Sequence, residues 1–449
     1  MKNNYTKIFL KTNFLLLFLM AGKFIFAQTA ADSAMVKQAA DSLNLKIESI
    51  KDDLGLMKKF KITGYLQAQW QMADSAGISS FAGGNFPKYA DNRFAVRRGR
   101  LKFHYEGEYS SFVIQIDATQ NGVALKDAYL TLKDPWLNMF TLTGGVFNRP
   151  FGFEIAYSSS LRESPERSRV YQTLFPNERD LGAMLSIQPR KESPYNFIRL
   201  DLGLICGNAI APEIDSHKDF VGHLYINKTT SNQKFKYGAG VSYYNGGYFQ
   251  ETKYVYNMET LYPGGPKGFA VDSLESNKGA YAKREYYGAD AQFSVDWAAG
   301  MTTIRGEYLW GTQPGSYKSN VSPNNRTYVD PGFETYVRPM NGGYVYFIQN
   351  IGQSRHSIVI KYDWLDPNTD VAGKDITATV DDQGNSIKTY LGPSDIKYTT
   401  WGFGYNLRLT SNVKLMAYYD LVKNEDTNIK GYTQDLKDNV FTLRLQFKF

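Results

Sequence analysis

Residues 60–72 read FKITGYLQAQWQM, and their alternation decides the class of the chain. Phe60, Ile62, Gly64, Leu66, Ala68, Trp70 and Met72 fall on one side of an extended strand, while Lys61, Thr63, Tyr65, Gln67, Gln69 and Gln71 fall on the other. A period of two is the signature of a strand with one apolar and one polar face. Just upstream the period is different. Val36, Ala40, Leu43, Ile47, Ile50, Leu54 and Met57 follow a four-three spacing, which puts them on one seam of a coiled-coil-like helix over 28–58. About three heptads are marginal for an isolated helix, so the seam implies a larger oligomer that raises its local concentration. A solitary amphipathic linker helix is the alternative.

Downstream of residue 72 the alternation returns near 94–105, 111–118, 125–133, 140–147, 181–188, 197–204, 220–226, 235–244, 284–295, 301–310, 342–350, 356–364, 399–407, 413–420 and 440–449. With 60–72 that makes sixteen strands. Short connections (106–110, 134–139, 296–300, 351–355, 408–412) alternate with mostly long polar ones (73–93, 148–180, 245–283, 311–341, 365–398, 421–439). A soluble antiparallel sheet also alternates, but nothing in it sorts loops by end. Transmembrane barrels have this asymmetry, with tight turns at one rim and long loops at the other. The expected fold is therefore all-β: a sixteen-stranded transmembrane antiparallel β-barrel over 59–449, preceded by a short N-terminal helix and holding an infolded loop at about 148–180.

Composition agrees. The mean hydropathy is −0.41, yet 15% of residues are aromatic. No apolar run outside the first residues approaches the roughly 20 that a spanning helix needs. Residues 1–27, with Lys2, Lys7 and Lys11, an apolar run from Phe14 to Ala21 and small Ala27, read as a cleavable export signal. That segment, with Lys23, carries four of the seven excess positive charges. The remainder is close to balanced, which excludes the basic field that a nucleic-acid partner requires. A single cysteine, Cys206, excludes a disulfide framework, and His104, His217, His223 and His356 show no metal-ligand spacing. No cofactor is expected.

A barrel of this size leaves an aqueous channel unless something narrows it. The connection 148–180 is long and dense in charge, with Arg149, Glu154, Arg162, Glu163, Glu166, Arg167, Arg169, Glu178, Arg179 and Asp180. Inside the lumen it would set the minimum radius and the local potential. In the strand FAVRRGRLKFHYEG, lipid-facing Leu101, Phe103 and Tyr105 leave Arg98, Arg100, Lys102 and His104 towards water. Such a ladder attracts small anions; alternatively, its cations pair with luminal acids such as Asp117, Asp127 or Asp201. The candidate anion path and constriction thus comprise Arg98, Arg100, Lys102, Arg149, Arg162, Arg167, Arg169 and Arg179.

The stretches FAVRRGRLKFHYEGEYSSFVIQIDATQNGVALKDAYLTLK (94–133), LTGGVFNRPFGFE (142–154), ERSRVYQTLFPNERDLGAML (166–185) and KYDWLDPN (361–368) together resemble the phosphate-selective porin family of Gram-negative bacteria. The resemblance implies a trimeric sixteen-stranded porin in the outer membrane, with an infolded third external loop that FNRPFG enters and FPNERDLG leaves. It implies an arginine-rich path for anions, phosphate among them. The family's phosphate specificity also rests on lysines deep in the channel, for which the strands here offer no matching cluster. The expected function is passive diffusion of small hydrophilic solutes, with the N-terminal helix in the periplasm and outer-membrane lipid and the assembly machinery as partners. An adhesin or assembly scaffold with a plugged barrel is the alternative. An enzyme would need a nucleophile, base and orienter on one strand face, and the histidines form no such group. The terminal Phe449 resembles the aromatic signal that the outer-membrane assembly machinery reads.

Overall fold

The computed structural model describes residues 30–322, 334–382 and 385–449. The proposed export signal, 1–27, lies outside the described residues. Two units are present, one ending at Phe60 and the other spanning Lys61–Phe449. In the first, helix α1 (Ala30–Lys59) runs unbroken for 30 residues and ends on Lys58 and Lys59, cations that complement the partial negative charge of a helix C-terminus. Leu43, Ile47 and Met57 of the expected seam are exposed along it. The side chains of Val36, Ile50 and Leu54 lie outside the described residues.

The second unit is a closed sheet. Its strands up to the first long wall are β1 (Phe60–Ala73), β2 (Asn92–Glu106), β3 (Ser110–Thr119), β4 (Gly122–Lys133), β5 (Phe140–Asn148), β6 (Arg179–Ile187), β7 (Ile198–Ile205), β8 (Asp219–Thr229) and β9 (Phe235–Phe249). A hairpin of β10 (Val255–Thr260) and β11 (Lys267–Asp272) interrupts the series. Then come β12 (Tyr281–Trp297), β13 (Gly300–Gly315), β14 (Thr335–Asn350) and β15 (His356–Asp366). A second hairpin, β16 (Thr379–Asp382) and β17 (Asn385–Lys388), precedes β18 (Tyr398–Arg408), β19 (Val413–Asn424) and β20 (Val440–Lys448).

Leaving out the two hairpins, each strand pairs with the next, β9 with β12 and β15 with β18 included, and β20 returns to β1. Along the closing seam Tyr65 lies opposite Lys448, Gln69 opposite Arg444 and Ala73 opposite Val440. The last residue extends that seam: Gly64 N–H donates to the Phe449 carbonyl at 3.2 Å, and Phe449 N–H donates back at 3.0 Å. A Cβ at Gly64 would stand 2.7 Å from the Phe449 ring, so glycine makes room for the terminal aromatic. Closure satisfies every edge, which hydrocarbon demands of a spanning sheet.

Burial is inverted relative to a soluble sheet. Leu66 is 48% exposed while its neighbour Gln67 is 1% exposed, and Leu443 and Leu445 are exposed while Arg444 between them is buried. Apolar side chains face outward and polar ones inward, as in a membrane barrel. All sixteen alternating segments read from the sequence are barrel strands. The four hairpin strands were not among them. They lie in the long loops, where one core is built from Tyr256, Phe269, Tyr336, Ile376, Leu391 and Ile396. There the buried face meets other loops rather than lipid, so period two over many residues is not required. The loops sort by end as expected, except that β3 and β4 are joined at the long-loop end by Gln120 and Asn121 alone.

Candidate functional site

The connection between β5 and β6 folds into the barrel and carries helix α2 (Arg169–Leu174). Its sequence has two faces. Phe151, Ile155, Val170, Tyr171, Leu174 and Phe175 pack against Ile205, Val221, Tyr244, Tyr286, Leu309, Tyr344 and Val359 of the surrounding strands, which fills one side of the lumen with an apolar core. The charged face is held by two carboxylate hubs. Glu307 of β13 accepts the backbone N–H groups of Phe153 and Glu154 at 2.8 and 2.6 Å, together with the hydroxyls of Tyr171 and Tyr344. Gly152 (φ +61°) makes this approach possible, since a Cβ there would strike Tyr171 and Glu307. On the opposite wall, loop residue Glu166 receives Arg97 at 2.8 Å, Arg98 at 2.6 Å and Arg444 at 3.0 Å. The loop tip is tied down by Tyr65 to Ser159 at 2.5 Å, Arg305 to Glu163 at 2.7 Å and Ser164 to Tyr346 at 2.6 Å.

The candidate residues converge on this loop, and most are ion-paired. Arg98 meets Glu166, Arg100 meets Asp117 at 3.1 Å, Arg149 meets Asp180 at 2.9 Å, and Arg179 meets Asp127 and Glu178 at 2.9 and 2.8 Å. Arg167 pairs with Glu178 and also donates to the carbonyls of Glu154 and Ile155. Arg169 lies between the rings of Phe81 and Tyr398, 4.4 and 4.0 Å from their centroids. Arg162 is 1% exposed and none of its three guanidinium nitrogens has a hydrogen-bond partner. Lys102 is half-buried, with no ion pair among the described residues. Of the ladder cations, Arg100 thus follows the pairing alternative with Asp117, whereas Asp127 is taken by Arg179 of the loop end rather than by the ladder.

Four cavities run through the unit and share lining residues. At the long-loop end a cavity of about 680 Å³ is bounded by Ser75, Phe81, Arg169, Tyr398, Tyr432 and Asp438. It shares Phe81, Arg169 and Asp438 with a cavity of about 30 Å³ beside the infolded loop, also lined by Glu166, Arg167, Lys361, Asp363 and Asp420. Arg167 lines that small cavity and the next, of about 210 Å³, together with Arg100, Lys102, Asp127, Arg179 and Lys448. Lys102, Asp127 and Tyr157 in turn join it to a cavity of about 610 Å³ at the short-turn end. The smallest of the four, beside the infolded loop, has room for about one water-sized group. Asp438, in the last long loop, has its carboxyl pushed up to about 6 by burial, against the opposing charge of Arg169.

Comparison with solved structures fits this geometry. The anion-selective porin from Comamonas acidovorans matches over 87% of this chain and 99% of its own, with TM-score 0.51 and 9% identity. Pseudomonas putida OprB matches over 88% of this chain and 96% of its own, with TM-score 0.54 and 11% identity. The chain has the porin fold. The outer membrane channel DcaP of Acinetobacter baumannii is similar at the same level, with TM-score 0.50 and 12% identity over 87% of this chain and 97% of that one. No protein-family model and no curated relative matches. The likeness therefore rests on architecture, and it reaches outer-membrane porins in general rather than phosphate-selective ones.

Sequence reasoning named Glu166 among the charges of the connection, without its partners, and did not single out Glu307. Glu307 stands in a strand as one luminal acid among several, and nothing local distinguishes it. Arg97 was missed for a sharper reason, because alternation puts it on the face opposite Arg98, whereas both guanidinium groups reach Glu166. Asp363 of β15, Asp420 of β19 and Asp438 of the loop after it come from separate segments, and the pairing of β15 and β19 to either side of β18 brings them to one cavity.

Proposed function

We propose that this protein is a passive diffusion channel of a Gram-negative outer membrane that passes small hydrophilic solutes and prefers anions, phosphate among them. The observation that carries the reading is the inverted, closed barrel whose successive cavities share residues past the infolded loop. Anion preference draws support from the 210 Å³ cavity, where the five cations Arg100, Lys102, Arg167, Arg179 and Lys448 outnumber the carboxylates they meet, Asp117, Asp127 and Glu178. Several guanidinium and ammonium donors around one aqueous space suit phosphate oxygens without one deep trap.

Homotrimeric assembly, with α1 in the periplasm, is part of the same proposal. The outer wall supports it. Large exposed side chains on β4 to β7 are aliphatic, as at Leu130, Leu142, Leu185 and Leu204, whereas β9 to β20 present Tyr237, Tyr287, Trp310, Trp401 and Tyr405. Aromatic girdles mark lipid interfaces, so the aliphatic wall suits contact with other copies. The small size of the cavity beside the infolded loop also favours a second reading, a plugged barrel that serves as adhesin or scaffold.

Planar-bilayer recording separates the two. The channel reading expects discrete conductance steps and a reversal potential favouring anions, compared between chloride and phosphate salts. Inserted barrels without conductance would establish the plugged alternative.

A further inference from the structure

We propose that the constriction recognises the ammonium group of a small zwitterion of the amino-acid class, whose carboxylate is received by the basic cavity beyond Arg167. The inference rests on the channel reading and names its solute. Four carboxylates line the 30 Å³ cavity: Glu166, Asp363, Asp420 and Asp438. Glu166 is committed to three guanidinium groups. Asp363 gives one oxygen to Lys361 at 2.6 Å, but its Oδ1 has no hydrogen-bond partner, and neither has Oδ1 of Asp438. These side chains belong to residues only 3% and 7% exposed. Buried carboxylate oxygens left unpaired are unfavourable, and a donor at this place relieves them.

The cations already facing the cavity do not supply that donor. Lys361 is engaged with Asp363, and Arg167 with Glu178 and loop carbonyls. Arg169 is stacked between two rings and forms no ion pair among the described residues. The ligand class follows from size and donor geometry. A space for one water-sized group admits an ammonium head, whose three N–H donors suit acceptors on separate strands. A directly coordinated metal fits poorly, since no three acidic, histidine or cysteine side chains among the described residues lie close enough to hold one. Arg167 lines both this cavity and the basic one, so a molecule with its positive end among the aspartates has its negative end next to cations.

The test is entry of labelled alanine, lactate and lactamide, each at low concentration, into liposomes carrying the full-length protein. These solutes have nearly the same shape and differ in charge. Alanine should enter roughly tenfold faster than lactamide, the effect of one charge-assisted hydrogen bond. Asp363→Asn and Asp438→Asn should each bring that ratio towards one; the second lies in a loop and keeps the test open if the first fails to insert. Equal entry of alanine and lactamide, with lactate also passing, overturns the ammonium site and leaves the channel intact. A ratio unchanged in both variants overturns the assignment to these aspartates. No entry of any of the three overturns the channel reading itself.

Discussion

Replacing Glu166 by glutamine tests how the infolded loop is held. The carboxylate is shared by Arg97, which binds it through two nitrogens at 2.8 and 2.9 Å, by Arg98 at 2.6 Å and by Arg444 at 3.0 Å. Glutamine keeps the shape and one acceptor but removes the charge, which leaves three guanidinium groups facing each other. Removing one partner of a buried ion pair costs about 3–5 kcal/mol. At about 1.4 kcal/mol per tenfold, the local opening equilibrium should shift by roughly two to three and a half decades. The whole loop should not leave the lumen, because Phe151, Ile155, Val170, Tyr171, Leu174 and Phe175 remain in the apolar core. At about 1.5–3 kcal/mol for each buried side chain, those six contribute on the order of 9–18 kcal/mol. The perturbation is therefore confined to the segment around Glu163–Arg167. Single-channel recordings of Glu166→Gln should show a larger, noisier conductance level, and the reversal potential should move towards anions. Unchanged conductance and selectivity in a correctly inserted barrel would refute the idea that this hub sets the constriction.

Acidification should act through Asp438. Its carboxyl is pushed up to about 6, so as pH falls from 7 to 5 it takes up a proton and the constriction loses a negative charge. Anion preference should rise over that range, and Asp438→Asn should remove that part of the pH dependence in bilayer recordings. Replacing Phe449 by alanine should lower membrane insertion before it alters selectivity, because its ring packs over Gly64 where its backbone closes the seam through two hydrogen bonds; normal yield of inserted barrel from Phe449→Ala would show that this aromatic is dispensable. Deleting 28–58 should weaken the oligomer, read by cross-linking, while single-pore conductance stays the same.

The sixteen strand segments, their inverted faces and the long charged connection at 148–180 could all be read in the sequence. Each depends on local periodicity and loop length, quantities that a linear chain carries without knowledge of its partners. Leu443, Arg444 and Leu445 already separate into lipid and lumen sides by alternation alone. The fate of each charge could not be read this way. Arg98 and Arg444 lie 346 positions apart and meet one carboxylate of a third segment, and that encounter exists only after the ring closes. Pairing of neighbouring strands and the infolded loop turned a ladder of apparently free arginines into mostly paired ones, with the net field left to residues such as Lys102 and to unpaired aspartate oxygens. The sequence by itself determined a membrane-spanning barrel, because strand geometry sets a period of two and a membrane sorts tight turns to one rim and long loops to the other. Only the tertiary structure decided where that barrel narrows and which charges face the passage, because both depend on side chains from distant strands converging on one loop.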